Sequence, residues 1–415
     1  MDIVQLTSET MKDLRHKREI IMQSMIDSQE GTLLVLSSAY AGEDRRIHHA
    51  SYAVFTIFYE LWERFNMDSW SYTFDAEGFM FYIRLDNDAR EVKNILIHYE
   101  DYHPLGFAID SDVFDKDTQW TRAKMDLPTR VDAYSKRPLS TILDEVNTEK
   151  KYKDNFKKQI ESEIVRGDRE TILSNILVYG FVAAFAKPLG FGMYGPNYKG
   201  SNDQMNFERF IHLVRTYKNA VKKITSHNSK RINDVVALQQ QIEESINRAV
   251  LNQQSYHFAV YVTSITLFAF INSKGYADIS KQVKKLAVES EALGVFKDEP
   301  ERFAIALTGF KELFSNTVPY LQKSGSIESS LLYLLSRTKD QSILLHNGEQ
   351  NLLKVQFLAK NLMAKEDKWL EMNKFCASSY IYPHDTTNLM IVVAMLDLMQ
   401  RNYLKIKMLF DVEEQ

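Results

Sequence analysis

The sequence predicts an α+β domain followed by a larger all-α domain. Over roughly the first 145 residues, helical and strand patterns alternate. From about Glu149 the strand signals stop and helical spacing takes over. Proline and glycine are scarce throughout, 8 and 15 of 415 residues, which favours long helices over a loop-rich all-β design. The length suits two or three domains, and an apolar fraction of 45% provides material for their cores. The expected domains are 1–148 and 160–415, separated by the charged stretch EKKYKDNFKK.

Each element has its own signal. Met11, Leu14, Ile21 and Met25 lie on one helical stripe, and GTLLVLSSAY then reads as a buried strand. Val54, Ile57, Phe58, Leu61 and Phe65 follow at three-four spacing, an amphipathic helix whose aromatic residues belong to a core. SWSYTFDAEGFMFYIRLD has two β-rich arms around Asp75-Ala76-Glu77-Gly78, a hairpin signal. NILIHYE and FAIDSDVF read as two further strands joined by a turn at His103-Pro104-Leu105-Gly106. In the second half, Val235, Leu238, Ile242, Ile246 and Ala249 form one helical stripe. His257 to Ile271 is apolar all round, as in a helix surrounded by others, with Gly275 as its stop. Leu389 to Met399 reads as a second buried helix. AKPLGFGMYGPNYKGSNDQM is a Gly-rich loop within this helical half, the kind of segment that often carries function.

Composition narrows the function classes. A net charge of −4 gives no general attraction to nucleic acid or anionic membrane. The basic run Tyr217 to Arg231 reads either as a solvated helix face or as a patch for a nucleotide or an acidic carrier protein. A single cysteine, Cys376, excludes an intrachain disulfide framework and a cysteine-based zinc site, and fits a reducing compartment. The start lacks the basic head and apolar core of a signal peptide. The most apolar run falls short of the roughly 20 residues that span a bilayer. These observations predict a cytoplasmic protein acting without membrane or nucleic acid. Neither a Walker A motif, a dinucleotide fingerprint nor a nucleophile elbow is present.

The stretch EDYHPLGFAIDSDVFD, Glu100 to Asp115, carries the sharpest chemical signal. Asp110 and Asp112 stand two apart in an apolar run, and alternate residues of a strand point to one face. Like charges side by side are unfavourable unless water or a cation compensates them. The pair is therefore either a solvated strand edge or a site for a hard divalent cation such as Mg²⁺.

The same stretch resembles the His-Pro-Leu-Gly-Arg-Leu-Trp-Asp-x-Asp-Val motif of holo-citrate-lyase synthase, the apo-citrate lyase phosphoribosyl-dephospho-CoA transferase. His103, Pro104, Leu105, Gly106, Asp110, Asp112 and Val113 match, whereas Phe107 stands in place of the arginine and Ile109 in place of the tryptophan. Leu127-Pro128 and Arg130 resemble a Leu-Pro-x-Arg segment of that family, and Gly42 with Arg45 and Arg46 sits near the place of its Gly-Pro-Ile-Lys. The helical half resembles the partner enzyme, triphosphoribosyl-dephospho-CoA synthase, with which this family is fused in some bacteria. That resemblance rests on Lys187-Pro188, on Gly200 to Met205 including Asp203, on Asn252, on Asp340 with Gly348 and Glu349, and on YPHDTTNLM with Pro383.

The resemblance implies that the second half makes triphosphoribosyl-dephospho-CoA from ATP and dephospho-CoA. The first half would then transfer the phosphoribosyl-dephospho-CoA group to a serine of the citrate lyase acyl carrier protein. Asp110 and Asp112 are then expected to hold Mg²⁺, with His103 placing the reactants, and Gly106, Arg130, Lys187, Gly200, Asp203 and Asn252 at nucleotide or CoA groups. His103 has an alternative role as a turn residue bonding backbone. Asp340 is expected either to bind the metal or to cap a helix. Gln254-Ser255 and His384-Asp385 replace the His-Lys and Gly-Gly of the synthase motifs. This leaves open a helical half that binds or regulates without catalysis.

Overall fold

The computed structural model describes residues 8–28, 31–40, 47–75, 78–131, 150–185, 214–215, 218, 221, 253–295, 297, 299–363, 372, 375–376 and 378–412. The chain divides into two compact units, Asp2–Glu163 and, apart from Met1, Ile164–Gln415. The first is α+β and the second is helical, as the sequence predicts.

The first unit runs α1 (Ser8–Ser28), β1 (Thr32–Ser38), α2 (His48–Arg64), β2 (Met67–Asp75), β3 (Gly78–Leu85), α3 (Ala89–Tyr102), β4 (Ile109–Phe114), β5 (Gln119–Trp120) and α4 (Lys150–Ile164). The strands form one sheet in the order β2-β3-β1-β4-β5, antiparallel throughout. One face carries Leu34, Leu36, Phe81 and Ile83, and Phe58 of α2 stacks on Phe81 with centroids 3.8 Å apart. On the opposite face, α1 lays Ile21, Met22, Met25 and Ile26 over Leu33, Val35 and Tyr82. Helix cover on both faces explains why β1 and β3 are almost continuously apolar. β4 instead alternates, with Ile109, Ser111 and Val113 buried and Asp110 exposed.

Two expectations are corrected in this unit. NILIHYE is not a strand but the middle of α3. Asp88 accepts a hydrogen bond from the Glu91 N–H, and the buried side chains Val92, Leu96, Ile97 and Glu100 recur at helical spacing. The contiguous apolar run at its centre imitates a buried strand, and the helical period appears only in the wider window. The charged stretch after Glu149 forms α4, whose Phe156 and Ile160 are buried. Glu161 of α4 meets His49 at 2.9 Å with both side chains buried, so the compact unit reaches past residue 148.

The described helices of the second unit are α5 (Arg169–Phe185), α6 (Gln253–Asn272), α7 (Tyr276–Ala292), α8 (Pro300–Leu307), α9 (Val318–Ser324), α10 (Ile327–Leu335), α11 (Gln341–Asn347), α12 (Glu349–Leu362) and α13 (His384–Val412). α13 packs on α5 and α6, and its residues from Asp385 to Met399 are all buried. Gly180 of α5 makes one such crossing close, because a Cβ there would lie 2.7 Å from Met395 Cγ and 2.9 Å from the Ile391 carbonyl. Gly275 does not end α6, which stops at Asn272. It precedes α7 as its N-cap. The stripe Val235 to Ala249 lies outside the described residues. Among the described residues, no helix is long and apolar enough to cross a membrane.

Candidate active site on the open face of β4

The His-Pro-Leu-Gly turn connects α3 to β4, and its geometry explains its residues. His103 ends α3, its N–H donating to the Tyr99 carbonyl. Its Nδ1 accepts the Leu105 N–H at 3.0 Å, so the ring proton sits on Nε2, which faces Glu60 Oε1 at 3.3 Å. Both ring nitrogens thus have partners, and the ring also stacks on Tyr99 with centroids 5.6 Å apart. Gly106 then passes directly over the end of α3. A Cβ at this position would lie 2.2 Å from the Tyr99 carbonyl oxygen and 2.7 Å from that of Glu100. Only glycine permits that approach.

The Leu-Pro-x-Arg segment meets this turn. Arg130 donates from Nη1 to the Ile109 carbonyl and from Nη2 to the Gly106 carbonyl. Two motifs read separately in sequence therefore form one structure. Arg130, expected at a nucleotide or CoA group, spends two of its guanidinium nitrogens on the backbone that launches β4.

Asp110 and Asp112 project from β4 on the same face of the sheet as Val35. Their partners in β1 are Ser37 and Val35. Asp110 is exposed and Asp112 half-buried. Gln119 donates to Asp112 Oδ1 at 3.0 Å. Burial, followed by the charge of Asp110, pushes the Asp112 carboxyl up to about 6 from 3.8, against the opposing pull of Lys93. The two carboxylates share one face of the strand, and oxygen donors of this kind are the type that a hard divalent cation takes. Among the described residues, no group of three or more His, Cys, Asp or Glu comes together as a metal cage. Any cation here would take its other oxygens from substrate or water.

Glu100 does not join the pair; it lies across the sheet from it. Ser111 donates to Glu100 Oε1 at 2.5 Å from the buried side of β4, and Arg122 donates to Oε2 from Nη2 at 2.8 Å and from Nε at 3.2 Å. Arg122 also holds Asp101, 2.6 Å away. Lys93, buried, donates to the Ser111 carbonyl at 2.6 Å and stands 3.7 Å from Glu100. Burial alone would raise the Glu100 carboxyl. The charges of Lys93 and Arg130, with the hydrogen bonds from Ser111 and Arg122, outweigh it and hold the group below its ordinary value. Sequence reading missed this network. Its signal is two charges, Lys93 and Glu100, at positions where the α3 stripe should be apolar.

Residues 6–131 match the family model of apo-citrate lyase phosphoribosyl-dephospho-CoA transferase. The transferase match begins just before α1 and ends one residue past Arg130, so it takes in the turn, the aspartate pair and the arginine clamp. α4 and the helical unit lie beyond it. No curated protein matches the chain.

The remaining expected residues fall into two groups. Lys187, Gly200, Asp203 and Asn252 lie outside the described residues, as do Gly42, Arg45 and Arg46. Asp340 is described and wholly buried. It is the N-cap of α11, its Oδ1 accepting the Ile343 N–H at 3.1 Å, while Oδ2 accepts the Thr386 N–H and hydroxyl at 2.8 Å each. Asp385, in the first turn of α13, returns the bond by accepting the Gln341 N–H at 2.9 Å and the Ser342 N–H at 3.2 Å, and Arg302 pairs with it at 3.2 Å. Burial, then the charge of Asp385, raises the Asp340 carboxyl to about 7.

Proposed function

We propose that the α+β unit transfers a phosphoribosyl-dephospho-CoA group from its triphosphate to a serine of the citrate lyase acyl carrier protein. The observation that carries this reading is the aspartate pair on the open face of β4, inside the segment that matches the transferase family. In the reaction, the serine Oγ forms a bond to phosphorus, the bond to the leaving pyrophosphate breaks, and the hydroxyl proton passes to water. Mg²⁺ bound at Asp110 and Asp112 would neutralise charge on the phosphates and on the leaving pyrophosphate. The protein's own part is positional. Gly106 and Arg130 fix where β4 begins, His103 holds the turn through Leu105 and Glu60, and the strand presents both carboxylates to one side.

The test is the mass gained by the carrier protein on incubation with the full chain, the triphosphate donor and Mg²⁺. Replacing both residues, Asp110→Asn with Asp112→Asn, should slow transfer by about a hundredfold or more, since metal stabilisation of charge is worth several kcal/mol. An unchanged rate would remove the assignment of these carboxylates.

For the helical unit, a second reading is favoured by one observation. Asp340, the described member of the synthase-like residues proposed for metal, has both oxygens committed to Ile343 and Thr386. We infer a binding or regulatory role for this unit, as against synthesis of the triphosphate from ATP and dephospho-CoA. Production of triphosphoribosyl-dephospho-CoA by the purified chain would overturn it.

A further inference from the structure

β5 is two residues long and pairs only with Val113 and Phe114. Past that point, β4 has no neighbouring strand on its β5 side among the described residues. Carbonyls two residues apart on a strand point toward the same edge, so those of Ile109 and Ser111 share a direction. Each is met by a cation. Arg130 donates to the Ile109 carbonyl, and Lys93 Nζ donates to the Ser111 carbonyl at 2.6 Å. Asp110 lies between these two carbonyls and Asp112 follows directly. Lys93 is itself fixed, because its Nζ also reaches Ser111 Oγ at 3.4 Å and stands beside Glu100, which Arg122 holds from the other oxygen.

We propose that Lys93 and Arg130 are positioning residues that stand in for the missing strand, holding β4 in the register and twist at which Asp110 and Asp112 converge on one cation. This rests on the reading of that pair as a divalent-cation site. Neither residue touches the ion; both act through backbone carbonyls on the side of each aspartate. The split of tasks is economical. The buried face and edge of β4 take the fixed positive charges, and the open face keeps its negative ones. Satisfying two buried edge carbonyls is a stabilising task in itself, and the binding measurement below separates that task from the positioning of the aspartates.

The experiment is Mn²⁺ binding to the full chain by calorimetry, with thermal unfolding recorded on every variant. Wild type should bind, and Asp110→Asn with Asp112→Asn should not, which locates the ion. Lys93→Gln should weaken binding roughly tenfold to a hundredfold, the usual effect of removing groups that orient metal ligands. Lys93→Arg, which keeps charge and donors, should recover most of it. Arg130→Lys keeps the charge but loses the two-point fork, and should weaken binding while the chain stays folded. It serves equally if Lys93→Gln does not fold. Wild-type affinity in folded Lys93→Gln or Arg130→Lys overturns the positioning role and leaves the cation site standing. No Mn²⁺ binding by wild type overturns the cation site, and the positioning role with it.

Discussion

Asp110 and Asp112 sit two apart on one strand, whereas Asp340 and Asp385 come from the starts of two different helices. In both pairs, burial and a like charge raise one carboxyl, Asp112 to about 6 and Asp340 to about 7. Their surroundings are opposite. Asp340 and Asp385 are buried and accept backbone N–H groups from each other's helix, so every oxygen has donors. Such carboxylates satisfy the free N–H groups of helix starts and tie two elements together. Among the described residues, the strand pair has one side-chain donor, Gln119, and Asp110 is exposed. A raised carboxyl therefore does not separate a structural acid from a functional one; the number of fixed donors around it does.

That distinction can be broken by substitution. The largest effect is expected at the helical pair. Asp340→Ala strands the Ile343 and Thr386 donors in the interior, and should cost about 3–5 kcal/mol in urea unfolding of the helical unit. A loss below about 1 kcal/mol would mean the pair is not a structural tie.

The strand pair should show itself through pH. The Asp112 carboxyl is raised from 3.8 to about 6, so the folded state binds its proton more tightly than the unfolded chain does. The stabilisation is full below about pH 4 and is lost as pH rises through about 6. Asp112→Asn removes that slope. The difference in stability between wild type and the variant should change by about 1 kcal/mol over this window, a figure reduced for solvent screening at a half-buried site. Parallel pH curves would show that Asp112 is not strained by its surroundings.

The smallest effect is expected at Asp110. Because its side chain is exposed, Asp110→Asn should leave the thermal midpoint nearly unchanged, a difference within about 0.5 kcal/mol. Transfer to the carrier protein should nevertheless fall. A stability loss comparable to that of Asp340→Ala would erase the contrast between the two pairs.

Much of the fold was legible where a single period ran long enough. The α2 spacing from Val54 to Leu61, the hairpin arms on either side of Asp75 and Gly78, and the apolar run from His257 to Ile271 all fell in elements of the expected type. NILIHYE failed because three consecutive apolar residues satisfy both periods, and only Val92 and Glu100 outside it decide. The D-x-D pair was legible because strand geometry converts adjacency in sequence into adjacency in space. Asp340 with Asp385 was not, since helix packing brings together starts that are far apart in the chain. For the same reason the sequence showed Leu-Pro-x-Arg and His-Pro-Leu-Gly as separate fragments. The clamp of Arg130 on Gly106 exists only once α3, the turn and β4 are folded.

The short β5 has a consequence beyond the site. An unpaired strand edge displays a row of acceptors that another chain can extend, a route to aggregation that proteins suppress with charged side chains. Lys93 and Arg130 already occupy the Ser111 and Ile109 carbonyls, and a docking strand would have to displace two cations to reach them. Along this edge, the described acceptors of Ile109 and Ser111 are therefore already spoken for, and a strand docking there would have to give up those two hydrogen bonds.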